Sequence, residues 1–202
     1  MKHIIFDQQR VIPSKVVCIG RNYVEHIKEL DNEMPSDMVI FNKPNSSISD
    51  TLRYFNTDCR FEGELCLLVK NGKIAGLGLG LDLTHAALQN RLKHKGLPWE
   101  RAKAFDGSAV LSAFVPFEGA LNDLHFELYH NHTLVQHAHY DLMIYKPDEI
   151  IEEIQQFMIL EEYDIVMTGT PKGVGTYQKG ALFEMKLFNK EKLLLTSSWK
   201  AK

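Results

Sequence analysis

The segment FEGELCLLVKNGKIAGLGLGLDL, residues 61–83, most strongly limits the folds open to this chain. Two apolar runs flank Asn71-Gly72, a dipeptide that favours a two-residue turn between antiparallel strands. From Leu65 to Val69 the first run is apolar on both faces, which indicates a strand buried on both sides rather than a half-exposed one. The segment therefore predicts a long β-hairpin inside a larger sheet.

Two glutamates, Glu62 and Glu64, stand at the start of this hairpin. Alternate residues of a strand share a face, so both carboxylates point the same way, with their roots roughly 6.6 Å apart. Solvated acids on an exposed strand face are the common explanation of such a pair. Here the strand soon becomes buried, and burying like charges without a partner is costly. The pattern favours a divalent cation bound by carboxylate oxygens.

Asp82, at the end of the second strand, is the expected third acid. A regular two-residue turn pairs residue 62 with residue 81, which places Asp82 on the face opposite the two glutamates. Two alternatives remain open. Either Asp82 lies beyond the regular strand, or a β-bulge shifts the register. Three glycines could supply such a bulge: Gly76, Gly78 or Gly80.

Elsewhere, strands outnumber helices. Further strands are predicted at 15–20, 39–44, 164–169, 181–188 and 192–199, with a second hairpin at 126–136. Helices are predicted at 22–30, 85–95 and 147–160, the second with Thr84 as N-cap and Gly96 as its stop. Because strands and helices do not alternate regularly, the pattern predicts an α+β fold, predominantly β, in one domain over residues 1–202.

Composition excludes several classes of function. The 202 residues are 45% hydrophobic and carry a net charge of −3 with both signs mixed. This distribution gives no basic surface for nucleic acid. No run approaches the ~20 apolar residues of a membrane span, and the first residues do not resemble a targeting leader. Three cysteines without CxxC spacing fit free thiols, so a cytoplasmic protein with neither nucleic-acid nor membrane partners is expected.

Other polar motifs are weaker. His26 and Glu29 are neighbours at i, i+3 on a helix, where a carboxylate orienting an imidazole makes a general base. Taken alone, a charged surface helix is the better explanation of this pair. The glycine-rich GLGLGLD and TGTPKGVG match no nucleotide-binding pattern and are expected to be structural. Five histidines between residues 125 and 139 are expected to be solvated hairpin residues, with zinc or nickel binding as the alternative.

Five motifs in matching order resemble the fumarylacetoacetate hydrolase family, in particular its small branch of acylpyruvate hydrolases and oxaloacetate decarboxylases. These are CIGRNYVEHIKEL, FNKPNSSI, FEGELCLLV, LDLTHAALQNRLKHKGLPWERAKAFDGSA and VMTGTPKGVG, between about residues 16 and 187. The resemblance implies a roll of mixed β-sheets with a few short helices, a homodimer, and one Mg²⁺ or Mn²⁺ per subunit.

The same resemblance implies roles for nine residues, which match the family position by position. They are the metal ligands Glu62, Glu64 and Asp82, the catalytic His26, Glu29 and Lys103, and the substrate contacts Arg21, Gln89 and Thr170. His26 and Glu29 would lie on a mobile lid at residues 21–35. One departure concerns Ala86 and Ala87, which stand where the family often has Arg-Asp; since that arginine can touch substrate in relatives, the identity of the substrate is left open.

The implied activity is a metal-dependent hydrolysis of the C–C bond of acylpyruvates, such as fumarylpyruvate, to pyruvate and a carboxylic acid. Decarboxylation of oxaloacetate is the companion reaction. An isomerase (tautomerase) or a hydratase of a small 2-oxo acid needs the same residues and remains an alternative. A non-catalytic binding protein of the same fold is the alternative from a different class.

Overall fold

The computed structural model describes residues 1–29 and 36–202. Over these ranges the strands are β1 (Ile4–Phe6), β2 (Gln9–Val11), β3 (Lys15–Gly20), β4 (Val39–Pro44), β5 (Ile48–Ser49), β6 (Cys59–Lys70), β7 (Lys73–His85), β8 (Ala109–Leu111), β9 (Val115–Pro116), β10 (Leu124–His130), β11 (Thr133–His139), β12 (Ile165–Met167), β13 (Gly175–Thr176), β14 (Leu182–Asn189) and β15 (Lys192–Lys200). The α-helices are α1 (Val24–Glu29), α2 (Ala86–His94), α3 (Glu100–Lys103) and α4 (Pro147–Gln155). The predicted α+β class with a β majority is confirmed.

Two sheets carry most of the chain. The larger has the strand order β4-β3-β12-β6-β7-β8-β5, with β13 beside β6 and β9 beside β7. It is mixed, since β12 runs parallel to β3 and antiparallel to β6. The smaller sheet has the order β11-β10-β14-β15 and is antiparallel throughout. The β6–β7 hairpin therefore lies in the interior of the larger sheet, as its apolar sequence predicts.

The two faces of the larger sheet bury different clusters. One face carries residues such as Leu65, Leu67 and Leu79 and packs in a single core with Phe183 and Met185 of the smaller sheet. The opposite face buries a smaller cluster that includes Cys18, Cys66 and Met167. Because side chains alternate along β6, Glu62 and Glu64 share the face of Cys66. That both sheets belong to one domain over 1–202 stays a prediction.

A β-bulge in the central hairpin sets the position of Asp82. Asn71 and Gly72 have φ values of 50° and 70°, as a type I′ turn requires. The pairing is regular as far as Val69 opposite Ile74, but Leu68 pairs with Gly76, so Ala75 is the inserted residue. Glu62 consequently lies opposite Asp82 rather than Leu81, so the alternative in which a β-bulge shifts the register is the one observed. The bulge falls beside Gly76, one of the glycines named as able to supply it.

The alternating glycines of β7 serve packing, as expected. A Cβ on Gly78 would lie 2.6 Å from the Phe114 ring, and one on Gly80 would lie 2.9 Å from Cys66 Sγ. These clashes show why the strand face that leads to Asp82 must be flat. Because these glycines have no side chain, Phe114 and Cys66 of the smaller cluster can pack directly against the backbone of β7.

Helix α2 begins differently from the prediction. Thr84 is not its N-cap, because Thr84 still belongs to β7 and its hydroxyl is bonded to Glu62. Asp58 caps the helix instead, accepting the backbone N–H of Ala87 at 2.7 Å. At the other end Gly96, with φ of 62°, follows the C-cap residue, and its N–H bonds the carbonyl of Lys93, so the predicted stop is confirmed.

Candidate metal and catalytic site

Three carboxylates lie close together toward the end of the β6–β7 hairpin that is away from its turn. One oxygen each from Glu62, Glu64 and Asp82 lies within 4.8 Å of the other two. Glu64 and Asp82 are buried, and the Glu62 side chain is 15% exposed. Glu64 is fixed by the N–H of Gly169, which donates to Oε2 at 2.7 Å, and Glu62 by the Thr84 hydroxyl at 2.7 Å. Strand alternation and the bulge together produce this cluster.

Two buried lysines compensate the cluster. Lys103 Nζ lies 2.7 Å from Asp82 Oδ2 and 3.0 Å from Glu62 Oε2. Lys43 Nζ lies 2.7 Å from Asp82 Oδ1. Lys43 also donates to the carbonyl of Lys103, which accepts a second hydrogen bond from Ser108 Oγ at 2.8 Å. Lys43 and Ser108 therefore fix the backbone from which Lys103 reaches the acids.

The electrostatics distinguish the two glutamates. Burial raises the pKa of Glu64, and the neighbouring charges of Asp82 and Glu62 raise it further. Burial also raises the pKa of Glu62, but Lys103 and His26 outweigh it and hold that pKa below its usual value. The pKa of Lys103 is lowered by burial yet held above its usual value by Asp82 and Glu62. Lys103 and the N–H of Gly169 lower the pKa of Glu64, but they do not offset burial and the two neighbouring acids.

His26 and Glu29 form a supported pair at the edge of the site. His26 is buried, and its Nδ1 lies 3.2 Å from Glu29 Oε2. The N–H of Gly173 donates to both oxygens of Glu29, at 2.9 and 3.1 Å. With Nδ1 engaged, Nε2 is the ring nitrogen left for chemistry. Residues 30–35 of the predicted lid lie outside the described residues, so its mobility stays a prediction.

Gln136, on β11, joins the smaller sheet to β6 between Glu62 and Glu64, and it was not predicted. Its Oε1 accepts the N–H of Gly63 at 2.9 Å, and its Nε2 donates to Thr170 Oγ1 at 2.8 Å and to the carbonyl of Pro171 at 2.8 Å. A Cβ on Gly63 would lie 2.8 Å from that Oε1. The glycine between the two glutamates is therefore needed for the close approach of this amide.

The predicted substrate contacts occupy three separate elements. Thr170 follows β12, is buried, and donates its hydroxyl to the carbonyl of Gly63 at 2.9 Å. Arg21 follows β3 with a left-handed φ of 58° and is half-buried. Gln89 is half-buried on α2. Their roles toward a substrate stay predictions.

The histidine-rich hairpin contains no comparable cluster. His125 faces His137 and His139 with ring centroids 5.8 and 6.1 Å apart. Among the described residues, however, the three acids are the only set whose ligand atoms approach closely enough to share an ion. His137 is exposed, in keeping with solvated hairpin residues.

The donor set fits a hard divalent cation. Three carboxylate oxygens are the ligands that Mg²⁺ and Mn²⁺ prefer, and such sites keep positions open for water and substrate. The raised pKa of the buried Glu64 marks the place where an added positive charge relieves repulsion among the acids. Glu62, Glu64 and Asp82 would hold the ion.

Comparison with known proteins places the chain in a family. The family model for the fumarylacetoacetate (FAA) hydrolase C-terminal domain matches residues 15–195. The chain belongs to the fumarylacetoacetate hydrolase family. The resemblance seen in the five sequence motifs is thereby confirmed.

Relatives within the family carry more than one activity name. Oxaloacetate tautomerase YcgM of Escherichia coli K12 is 37% identical over 186 residues, covering 83% of this chain and 85% of the relative. The mitochondrial oxaloacetate tautomerase FAHD1 of Bos taurus is 36% identical, covering 79% of this chain and 80% of the relative. Fumarylpyruvate hydrolase from Pseudomonas aeruginosa, solved in complex with Mn²⁺ and pyruvate, is 25% identical with a TM-score of 0.88, covering 99% of this chain and 95% of that one.

Among the residues that the structure describes, no helix has the length and hydropathy to cross a bilayer.

Proposed function

We propose that this protein catalyses keto–enol tautomerisation of oxaloacetate or a closely related small 2-oxo acid, with Mg²⁺ or Mn²⁺ held by Glu62, Glu64 and Asp82. The observation that carries the proposal is the His26–Glu29 pair lying beside a three-carboxylate cluster. The names of the bacterial and bovine relatives support it. The sequence motifs by themselves imply hydrolysis of acylpyruvates, with tautomerisation as an alternative.

Proton transfer falls to His26. Glu29 accepts a hydrogen bond from His26 Nδ1–H and so selects the tautomer whose Nε2 is a base. Nε2 takes a proton from the carbon next to the 2-oxo group, and the resulting imidazolium gives a proton to the oxygen of that group, so the enol forms and His26 becomes neutral again. When bound, the metal ion supplies Lewis-acid charge that makes this C–H proton more acidic. Gly173 fixes Glu29 and thereby the ring that it orients.

Lys103 provides fixed positive charge. Its ammonium is anchored between Asp82 and Glu62 and is held protonated by them. Such a preorganised cation stabilises negative charge that develops on substrate oxygens, without reorganising during the reaction. Arg21, Gln89 and Thr170 are proposed to orient the substrate.

Hydrolysis of acylpyruvates to pyruvate and a carboxylic acid is the second candidate. It is favoured by the likeness to fumarylpyruvate hydrolase, which covers nearly the whole chain. In this reaction His26 Nε2 removes a proton from water, whose oxygen attacks the distal carbonyl carbon. The bond between that carbon and the CH₂ of the pyruvate part then breaks, and the departing pyruvate enolate takes the proton from the His26 imidazolium at carbon. Decarboxylation of oxaloacetate needs no such water.

The test combines three assays with substitutions of the proposed site residues. Purified protein with Mg²⁺ is assayed for loss of the enol absorbance of oxaloacetate and for pyruvate release from oxaloacetate and from acylpyruvates. We expect EDTA to abolish turnover and Mg²⁺ or Mn²⁺ to restore it. General-base assistance is typically worth ~10²–10⁴ in rate, so His26→Gln should lower tautomerisation by about that factor. Glu29→Gln should lower it less, since Glu29 only orients the ring.

Different outcomes separate the candidates. A large loss of acylpyruvate hydrolysis in His26→Gln, with tautomerisation unchanged, would assign His26 to water activation and favour the hydrolase. Turnover that persists in EDTA and in Asp82→Asn would contradict both.

The homodimer and the cytoplasmic location are proposals too; the bovine relative is named mitochondrial. Light scattering on the eluted protein tests the dimer.

A further inference from the structure

Three charged side chains form a row on β6 that includes two members of the acid cluster. Arg60, Glu62 and Glu64 occupy alternate positions of β6 and so share one face. Burial increases along this row, from half-buried Arg60 to Glu62, whose side chain is 15% exposed, to Glu64 at 2%. Exposure along this row therefore increases from Glu64 toward Arg60.

Lys93 lies at the same end of the site, on the helix that follows the partner strand. It is one turn after Gln89 on α2, so the two side chains share a face of that helix. Its ammonium is held 5.0 Å from the ring centroid of Trp99. Trp99 in turn packs against Phe41, with ring centroids 6.1 Å apart.

An aromatic wall connects Lys93 with the acid cluster. Lys103 Nζ, which bonds Asp82 and Glu62, lies 5.2 Å from the centroid of the same Phe41 ring. Phe41, Trp99 and Lys103 also line a groove of about 530 Å³. Lys93 and Lys103 are thus placed at the two ends of one Phe41–Trp99 wall.

Several charged groups lie within electrostatic range of Lys93. Burial and then the charges of Arg21 and Lys103 lower the pKa of Lys93, and Arg60 lowers it further, while Glu62 opposes them. These groups must lie near enough for their charges to interact. A divalent ion at the acids would add more positive charge, so this end of the site is suited to an anionic ligand.

We propose that Lys93 binds the second, distal carboxylate of a dicarboxylic 2-oxo acid and so makes the enzyme prefer such substrates over 2-oxo acids with a neutral tail. The proposal rests on the proposed function, since the metal end of the site takes the first carboxylate and the 2-oxo group. Arg60, whose charge also acts on Lys93, adds attraction for the same carboxylate. Oxaloacetate and fumarylpyruvate belong to the favoured class, and acetylpyruvate does not.

The test is a matched pair of ligands measured by calorimetry on Mn²⁺-loaded protein. 2-Oxoglutarate and 2-oxopentanoate share a five-carbon chain and differ in the terminal carboxylate. A charge-assisted hydrogen bond typically changes affinity by about 10- to 100-fold. We expect the wild type to prefer 2-oxoglutarate by about that factor, Lys93→Gln to lose the preference, and Lys93→Arg to keep most of it.

Two controls isolate the contact. Lys95→Gln removes an exposed lysine from the end of the same helix and should leave the preference intact. Oxalate, which has no distal group, should bind Lys93→Gln as it binds the wild type, showing an intact metal end. No preference in the wild type, binding of neither ligand, or a preference that survives Lys93→Gln would overturn the proposal. A preference that Lys93→Gln removes, in a protein that turns over none of the substrates, would support the subsite while contradicting the proposed function.

Discussion

At the scale of single residues, the least predictable member of the site is Lys43. A lysine in the strand VIFNKP is expected to be exposed, yet this side chain is fully buried. Its partners are Asp82, the carbonyl of Lys103 and Ser108, which lie about 40 or more positions later in the chain. Glu62 and Glu64 were predictable because strand alternation is local, whereas burial of Lys43 depends on contacts that only the fold creates.

Replacing Lys43 tests how much its buried contacts contribute to the free energy of unfolding. Lys43→Met fills a similar volume but leaves Asp82 with one fewer cation and the Lys103 carbonyl with one fewer donor. Breaking a buried ion pair by removing one partner costs about 3–5 kcal/mol, so the free energy of unfolding should fall by about that amount. Urea denaturation at pH 7 measures it. Lys73→Met, at the exposed hairpin turn, is the matched control and should change stability by less than about 0.5 kcal/mol. A Lys43→Met protein as stable as this control would contradict the assignment.

At the scale of elements, the central hairpin shows what a local pattern leaves open. The Asn71-Gly72 turn and both strands were predictable from sequence, and so was the need for a bulge if Asp82 is to join the glutamates. The position of the bulge at Ala75 was not predictable. It is supported by contacts from elsewhere, including the N–H of Phe117, which donates to the Ala75 carbonyl at 3.1 Å.

Asp164 joins two further elements, the parallel strands β3 and β12. Its Oδ1 accepts the N–H and the hydroxyl of Ser14, both at 2.8 Å, and its Oδ2 accepts the N–H of Glu161 and pairs with Lys15 Nζ. Burial by itself raises the pKa of this carboxyl, but the hydrogen bonds from Lys15 and Ser14 outweigh it and hold the pKa below its usual value.

This depressed pKa predicts a pH-dependent contribution to stability. The contribution is complete above the unfolded-state pKa of about 3.9 and is lost as the pH falls through the lower folded-state value. Asp164→Asn should therefore reduce the free energy of unfolding by about 2–4 kcal/mol at pH 7, and the difference from wild type should shrink below about pH 4. Urea denaturation at pH 7, 5 and 3.5 compares the two proteins. Asp50→Asn, a substitution on the surface, serves as control; a difference that is constant over this range would contradict the prediction.

At the scale of the whole molecule, composition and strand counts predicted the α+β class, and the five motifs predicted the family. The strand order could not be derived from them. β12 lies between β3 and β6, so strands from the two ends of the chain meet at the centre of the larger sheet. Such pairings join residues about 100 or more positions apart, and no local pattern encodes them. The same long-range pairing brings the N–H of Gly169 to Glu64.

The fold and the site are energetically linked through Glu64, which gives a prediction for the whole protein. A carboxyl whose pKa is raised in the folded state destabilises the fold above its ordinary pKa, because the unfolded chain releases the proton more readily. A bound divalent ion reverses this effect. At an Mn²⁺ concentration about 100 times the dissociation constant, binding adds about 2.7 kcal/mol, which for a chain of this size raises the Tm by about 5–11 °C.

Glu64→Gln separates repulsion from metal binding. The glutamine keeps an oxygen for the N–H of Gly169 but removes one of the three negative charges. Without metal, its Tm should equal or exceed that of the wild type, since the repulsion among Glu62, Glu64 and Asp82 is reduced. With Mn²⁺ at the concentration used for the wild type, its Tm should rise by no more than about 2 °C. Calorimetric scans at pH 7.5, with EDTA and then with Mn²⁺, give all four values. A metal-free variant that melts well below the wild type, or one that gains as much from Mn²⁺, would show that Glu64 acts as a structural hydrogen-bond acceptor rather than as a metal ligand.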